Sequence, residues 1–534
     1  MGAKLLLAIV LSSPFWNLGH PLWEVDDARY AEVPREMAES GDWLTPRLDY
    51  CDYIEKPPLI YWLPAASYKL FGVSEAAARL PNALLAFLGM LGVWWLGSWL
   101  FSERTGRWAA IFLGVSLEYF LLGHLLTPDM AVSVFLLWAS GAILRCLRNP
   151  KDARWAGSLA WISMALAFLS KGLIALLLPG LWTALLLGLF PELRRGLKGL
   201  LLNWGFPAFI VLVGSWLAAM QSRHPDFLHV FFIEQHFQRF LTPKYARPGP
   251  WYYFFGVDAG ALLPWTPLAW AGTILPFLRW RGEDPGRKQL ALWAAVVFVF
   301  FSASTSKLPT YILPIFAHQA ILAAELLGRL SEEPGVRRWC LLSGWVMAGA
   351  FLLAALAAPF IVPVIPGLPL PRAALWTACA FALAQALAVL ALSLRAAPLK
   401  MAACACAANA LLLAGAQFCL PLLSAKAVSL EIAARFKPGD RIIAYDKYLH
   451  GIPFYARRPV DVVNWVGELH YAKRMARFQD RFGDDDTIRK LDTTENRRIH
   501  MVLETRLLSH VLTLRPAKDF KRLSRFGNWI LLEL

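Results

Sequence analysis

Six places in this chain hold ionisable side chains of types and spacings that could do chemistry. Asp26 and Asp27 leave the first apolar run directly, with Arg29 three residues beyond Asp26. Glu55 and Lys56 set an acid beside a base just before Pro57-Pro58, with Tyr53 two residues upstream. Asp129 stands in Thr127-Pro128-Asp129-Met130, between two apolar runs. Lys171 and Lys307 are lone basic residues in otherwise neutral connections, and His236 lies in Glu234-Gln235-His236-Phe237-Gln238-Arg239-Phe240. Carboxylates with an imidazole suit a divalent metal. Fixed cations suit a phosphate, whose charge and oxygens they match. Plainer readings exist: Asp129 as the cap of a helix start, and His236 as a polar surface residue. Ionisable groups at membrane depth are costly, however, and normally face a polar interior or a substrate path. Taken together, the set points to a cavity that acts on a phospholipid-like substrate.

The elements that must carry these residues are membrane helices. The chain has 534 residues, 57% hydrophobic and 17% charged, against roughly a quarter charged in soluble domains. A soluble enzyme, a disordered chain and a collagen-like chain are thereby excluded. About thirteen apolar runs of membrane-spanning length occupy 3–19, 78–99, 108–124, 130–146, 155–169, 172–190, 200–219, 256–278, 289–305, 308–328, 339–362, 373–394 and 401–422. The net charge of +15 would suggest nucleic acid in a soluble protein. Here it sits in alternate short loops: Arg104 and Arg107, Arg145 to Arg154, Arg194 to Lys198, Arg279 to Lys288, Arg329 to Arg338, and Arg395 with Lys400. By the positive-inside rule these loops and the N-terminus are cytoplasmic, and no nucleic-acid partner is expected. The first run reads as a retained helix because no small-x-small cleavage site follows it.

Two long outer loops follow from this topology, roughly 20–76 and 220–255, within a membrane part spanning 1–424. The first carries eleven acidic residues. Tyr30, Val33 and Met37 recur in it at helical spacing, which predicts an amphipathic helix lying on the membrane, bent at Pro34 and ended by Ser40-Gly41. Leu59 to Phe71 predicts a second interfacial helix capped by Gly72. Residues 425–534 have the composition of a small α/β domain outside the membrane, with strands at Arg441–Tyr445, Val460–Trp465, His500–Glu504 and Trp529–Leu534 and a helical stretch between Leu469 and Arg489. It contains no phosphate loop and no convincing triad, so a cap over the membrane part is its expected role. Six of seven cysteines lie in or beside the spans, so no disulfide framework is expected.

These residues also carry a resemblance. The run Asp26-Asp27-Ala28-Arg29-Tyr30-Ala31-Glu32-Val33-Pro34-Arg35-Glu36-Met37, then Ser40-Gly41-Asp42-Trp43 and Tyr53-Ile54-Glu55-Lys56-Pro57-Pro58, resembles the first periplasmic loop of the bacterial aminoarabinose transferases that modify lipid A. Glu234 to Phe240 and Ser306-Lys307-Leu308-Pro309-Thr310-Tyr311-Ile312-Leu313-Pro314 resemble two later segments of that family. The likeness covers roughly residues 20–320. It implies a polytopic α-helical C-type glycosyltransferase, related to the protein O-mannosyltransferases, in the bacterial inner membrane, with its active site and C-terminal domain periplasmic. The implied donor is an undecaprenyl-phosphate sugar, the acceptor lipid A or another outer-leaflet molecule, and a monomer is the working expectation.

Roles carried over by motif make Asp26 the catalytic aspartate with Arg29 beside it. The family commonly has Glu where this chain has Asp27, which leaves either neighbour as the catalytic acid. Glu55 and Asp129 match metal-coordinating carboxylates, with His236 close by and zinc among the candidate metals. Lys56 and Tyr311 match residues that hold the lipid phosphate; Tyr53 lines the same place, and Lys171 and Lys307 are further phosphate candidates by position. A sister transferase acting on another glycan or on protein is the nearest alternative. A transporter fits less well, because neither internal repeats nor mid-membrane helix breaks are visible.

Overall fold

The computed structural model describes residues 2–242, 248–330, 335–361, 372–394, 397–419, 423–491 and 498–534. Arg395, one of the charges assigned above to the cytoplasmic side, and the ends of the runs 339–362 and 401–422 lie outside the described residues.

Within the described residues every apolar run falls mainly on helix. Among the described residues, six helical segments are long and apolar enough to cross a membrane: Glu75–Leu100, Pro128–Arg148, Gly205–Arg223, Pro285–Ala303, Pro309–Arg329 and Pro398–Gln417. Others are broken. Glu103–Val115 and Leu117–Gly123 meet at Ser116, where the backbone turns extended, and Tyr253–Ala261 and Thr266–Leu278 flank Pro264. Proline has no N–H to continue the ladder. Pro128–Arg148 and Pro309–Arg329 form the centre of the bundle, each with 89% of its apolar window buried. Small residues let helices approach: a Cβ on Gly106 would stand 2.4 Å from the Trp94 carbonyl oxygen, so only glycine allows that crossing.

The helix Asp26–Ser40 forms where expected and ends at Gly41, whose φ of 72° suits glycine. It does not lie on the membrane as an amphipathic helix. Residues Asp27 to Ala38 are all buried, because the helix packs against Leu59–Phe71 on one side and against Gly451–Ala456 of the C-terminal part on the other. Its charges are satisfied internally. Arg35 donates to Glu32 and Glu39, and Glu36 accepts the Tyr50 N–H at 2.9 Å. Leu59–Phe71 fits its expectation better, with Leu70 and Phe71 exposed at its end.

Between these helices a short hairpin pairs β1 (Arg47–Leu48) with β2 (Cys51–Asp52) through Asp49 and Tyr50, both at positive φ. From residue 426 onward the chain folds around a six-stranded sheet made of β3 (Arg441–Tyr445), β4 (Asp461–Val463), β5 (Phe482–Gly483), β6 (Ile499–Glu504), β7 (Arg522–Phe526) and β8 (Trp529–Glu533). Its order is β5-β4-β3-β6-β8-β7, parallel from β5 to β6 and antiparallel at β8 and β7. β5 and β7 are additions to the expected strands. The stretch from Leu469 to Arg489 is not one helix: short turns at His470–Lys473 and Ala476–Arg481 lead into β5 and then Asp485–Arg489. Its helix-like spacing of Tyr471, Met475, Phe478 and Phe482 reflects packing of those side chains onto the membrane core. The loops after β3 and β4 face that core, the end of a parallel sheet where α/β folds place their ligand-binding residues.

Candidate active site

The elements converge on a cavity of about 860 Å³. Its walls come from the start of helix Asp26–Ser40, the segment Tyr53–Pro57, the start of helix Pro128–Arg148, the connection after Lys171, the π-helical segment His229–Gln238, residues 306–311 and the loop after β4. Of the residues singled out from sequence, Asp26, Arg29, Tyr53, Glu55, Lys56, Asp129, Lys171, His236 and Tyr311 line it together.

Two do not. Asp27 turns away from the cavity: its carboxylate pairs with fully buried Arg79 and accepts the Trp23 N–H at 3.1 Å and the Leu126 N–H at 2.9 Å. Consecutive residues on a helix point about 100° apart, so only one of the neighbours can face the cavity, and that one is Asp26. Lys307 is likewise turned into its own loop, donating to the carbonyls of Ser302, at 2.9 Å, and Ser304.

At one end the site is cationic. Lys171 pairs with Asp129 and lies 4.7 Å from the centre of the Tyr311 ring. Asp129 occupies the first turn of its helix; the capping position is Thr127, so the capping role expected for Asp129 is not what its carboxylate does. Lys56 and Arg239 share this wall. Burial, then Arg239 nearby, pushes the Lys56 amine down to about 7, only partly offset by Glu55. Beyond the cations the lining turns apolar through Ile174, Leu177, Phe240, Leu241 and Phe300, and Leu241 stays exposed.

At the other end lie the acids. Asp26, with a side chain 58% exposed, pairs with Arg29, whose other nitrogen donates to Glu468 at 2.6 Å. Glu55 accepts from the Tyr53 hydroxyl at 3.2 Å, with Lys56 at 3.8 Å and His470 at 3.4 Å. Glu468 and His470 come from the loop after β4, and neither they nor Arg239 carried a role in the sequence reading. No periodicity links residues some 440 positions apart, so only folding reveals that contact.

The expected metal set does not assemble. Among the described residues no three His, Cys, Asp or Glu side chains stand close enough to hold an ion. Asp129 is taken by Lys171. His236 Nδ1 donates to the Phe231 carbonyl at 2.6 Å and Nε2 accepts the Leu173 N–H at 3.2 Å, leaving no lone pair for a metal. Burial pushes that imidazole down to about 4, so it is neutral. Gly172 makes the contact possible, since a Cβ there would stand 2.2 Å from Nε2. Glu55, Asp129 and His236 all line the cavity wall.

Comparison with known proteins fits this geometry. Residues 55–216 match the family model described as dolichyl-phosphate-mannose-protein mannosyltransferase. An undecaprenyl phosphate-alpha-4-amino-4-deoxy-L-arabinose arabinosyl transferase of Shewanella sediminis is 33% identical over 314 residues, 57% of this chain and 55% of that protein. A Pectobacterium carotovorum transferase of the same name is 31% identical over 364 residues, 66% of this chain and 64% of its own. The chain thus spans little more than half the length of the curated relatives it matches. The crystal structure of ArnT from Cupriavidus metallidurans bound to undecaprenyl phosphate superposes with a TM-score of 0.84 at 26% identity, covering 99% of this chain and 97% of that one. This chain is similar to the aminoarabinose transferases over these spans and has the fold of ArnT. It is a multi-pass membrane protein of that fold. An archaeal oligosaccharyltransferase from Archaeoglobus fulgidus, with a TM-score of 0.53 at 14% identity, shares the fold alone.

Proposed function

We propose that this chain is a glycosyltransferase that moves a sugar, 4-amino-4-deoxy-L-arabinose, from undecaprenyl phosphate to lipid A at the periplasmic face of the bacterial inner membrane. The observation that carries the reading is one cavity with a basic wall of Lys56, Lys171 and Arg239, beside the Tyr311 hydroxyl, between an exposed apolar end and an acidic end at Asp26. A prenyl chain suits the apolar end, its phosphate the cations, and the sugar the space between them and Asp26.

Transfer breaks the bond between the anomeric carbon and the phosphate oxygen, and charge develops on the leaving phosphate. Lys56 and Arg239, with the Tyr311 hydroxyl, are preorganised to meet that charge, and such preorganised electrostatics is usually the largest contribution to a rate. Asp26 faces the acceptor. A sugar hydroxyl would lose its proton to Asp26 as general base, whereas a lipid A phosphate, whose second pKa is near 6, is already ionised at neutral pH and needs Asp26 chiefly for alignment.

The test is mass spectrometry of lipid A from a deletion strain complemented with the wild-type chain or with Asp26→Asn. A wild-type-dependent gain of one aminopentose, lost or much reduced in the variant, is the expected result. Unchanged lipid A with the protein present in the membrane would move the acceptor to another glycan or to protein.

A further inference from the structure

The pair Asp26–Arg29 does not end at Arg29. Its guanidinium, with a side chain 10% exposed, reaches across to Glu468 on the short turn that follows β4. That turn requires glycine, since Gly467 has φ 40° and a Cβ on it would stand 2.1 Å from the Trp465 ring. Behind Glu468, His450 on the loop after β3 is 1% exposed; its Nε2 is 3.7 Å from Glu468 and its Nδ1 3.7 Å from Glu24. Neither ring nitrogen has a hydrogen-bond partner among the described residues. Glu24 in turn accepts the backbone N–H groups of His450, at 2.9 Å, and Gly451, at 2.7 Å. The groups alternate acid and base from Asp26 through Arg29, Glu468 and His450 to Glu24, so the line leaves residues 24–29, crosses the C-terminal domain and returns two residues from its start. Arg29 and His450 together hold the Glu468 carboxyl below its usual range against the opposing effect of burial.

We propose that Glu468 is a positioning residue: it holds the second guanidinium nitrogen of Arg29, so that Arg29 pairs with Asp26 through one nitrogen only and leaves the Asp26 carboxylate turned to the acceptor, and so makes the C-terminal domain part of the active site. Without Glu468, Arg29 would close fully on Asp26 as a bidentate pair. The donor's phosphate contacts at Lys56, Arg239 and Tyr311 would be untouched. The inference rests on the transferase reading above.

The test is steady-state transfer by the purified full chain in detergent, comparing wild type, Glu468→Gln, Asp26→Asn and the double variant, with a thermal melt of each. Glu468→Gln should lower kcat by between about ten- and a hundredfold, the scale for a displaced catalytic group, with donor KM and Tm unchanged. It should add nothing further in the Asp26→Asn background, because the two residues act as one unit. Should Glu468→Gln melt early, Glu468→Asp carries the test and should fall between it and the wild type. Unchanged kcat, a loss confined to donor KM, or losses that simply multiply in the double variant would overturn the inference while leaving the transferase standing. An inactive wild type would overturn the transferase reading itself, and the inference with it.

Discussion

Lys56 is a cation whose charge the site withholds until an anion arrives. Burial and Arg239 push its amine down to about 7 from the usual 10.5, so above that pH the empty site holds it largely neutral. A bound phosphate favours the ammonium form and raises the value again. Binding undecaprenyl phosphate at pH 8 should therefore take up a fraction of a proton, and affinity should weaken as pH rises through about 7. Calorimetry in buffers of different ionisation enthalpy measures the uptake; a Lys56→Met variant should show none. The neighbours Asp26 and Asp27 make a second residue-scale contrast. Asp27→Ala leaves Arg79, fully buried, without its counter-charge, which costs about 3–5 kcal/mol. That variant should melt early, whereas Asp26→Asn should melt normally and turn over far more slowly. Residue types and motifs alone brought nine of the eleven candidates to the cavity. They missed on Asp27 and Lys307 because a motif names positions and not the side of a helix or the carbonyls of a loop.

At the scale of elements, the helix Asp26–Ser40 shows what the pattern could and could not convey. Apolar residues at helical spacing with a closing glycine were enough to place its ends, but the charges between them implied a solvated face. The fold instead buries that face under Gly451–Ala456, which is tolerable only because Arg35 answers the carboxylates of Glu32, Glu36 and Glu39. Burial, and then Glu32 beside it, holds the Glu36 carboxyl well above its usual range. A carboxyl raised in the folded state stabilises at pH below its unfolded value, and that contribution is lost as pH climbs through the folded one. Replacing Arg35 by Leu removes the answering charge, so the variant should lose about 3–5 kcal/mol near neutral pH. Its deficit in Tm should shrink as the pH is lowered from 7 towards 5 and Glu36 takes up a proton. Thermal melts of the two proteins across that range check both parts; a deficit that grew on acidification would show that Arg35 acts by packing alone.

Across the whole molecule, the C-terminal domain is bound to the membrane part by apolar packing and by a set of paired charges. Arg481 pairs with Asp49 at 2.8 Å, Arg477 with Asp52, Arg474 with Glu234 at 3.1 Å, and His470 faces Glu55. This accounts for part of the acid in the first long loop, which the sequence displayed without its purpose: the bases that answer Asp49, Asp52 and Glu55 lie more than 400 residues away. Arg481 is the centre of the set. Besides the Asp49 carboxylate it donates to the Asp49 carbonyl at 2.5 Å and the Val460 carbonyl at 2.8 Å. Asp49 and Tyr50 form the two-residue turn between β1 and β2 at φ 57° and 60°, a primed-turn conformation that favours Asn or Gly over Tyr. The turn is held from outside by Arg481 and by Glu36 on the Tyr50 N–H. Arg481→Met strands buried Asp49 and frees the segment that carries Glu468 and His470. With about 3 kcal/mol of local stability removed, amide exchange across residues 467–483 should quicken by roughly a hundredfold, while the central helices Pro128–Arg148 and Pro309–Arg329 keep their protection. Transfer should fall with it, since the acidic end of the cavity loses its far wall. Exchange that quickened equally in both helices would instead mean that the domain supports the whole bundle, and not just the site it covers.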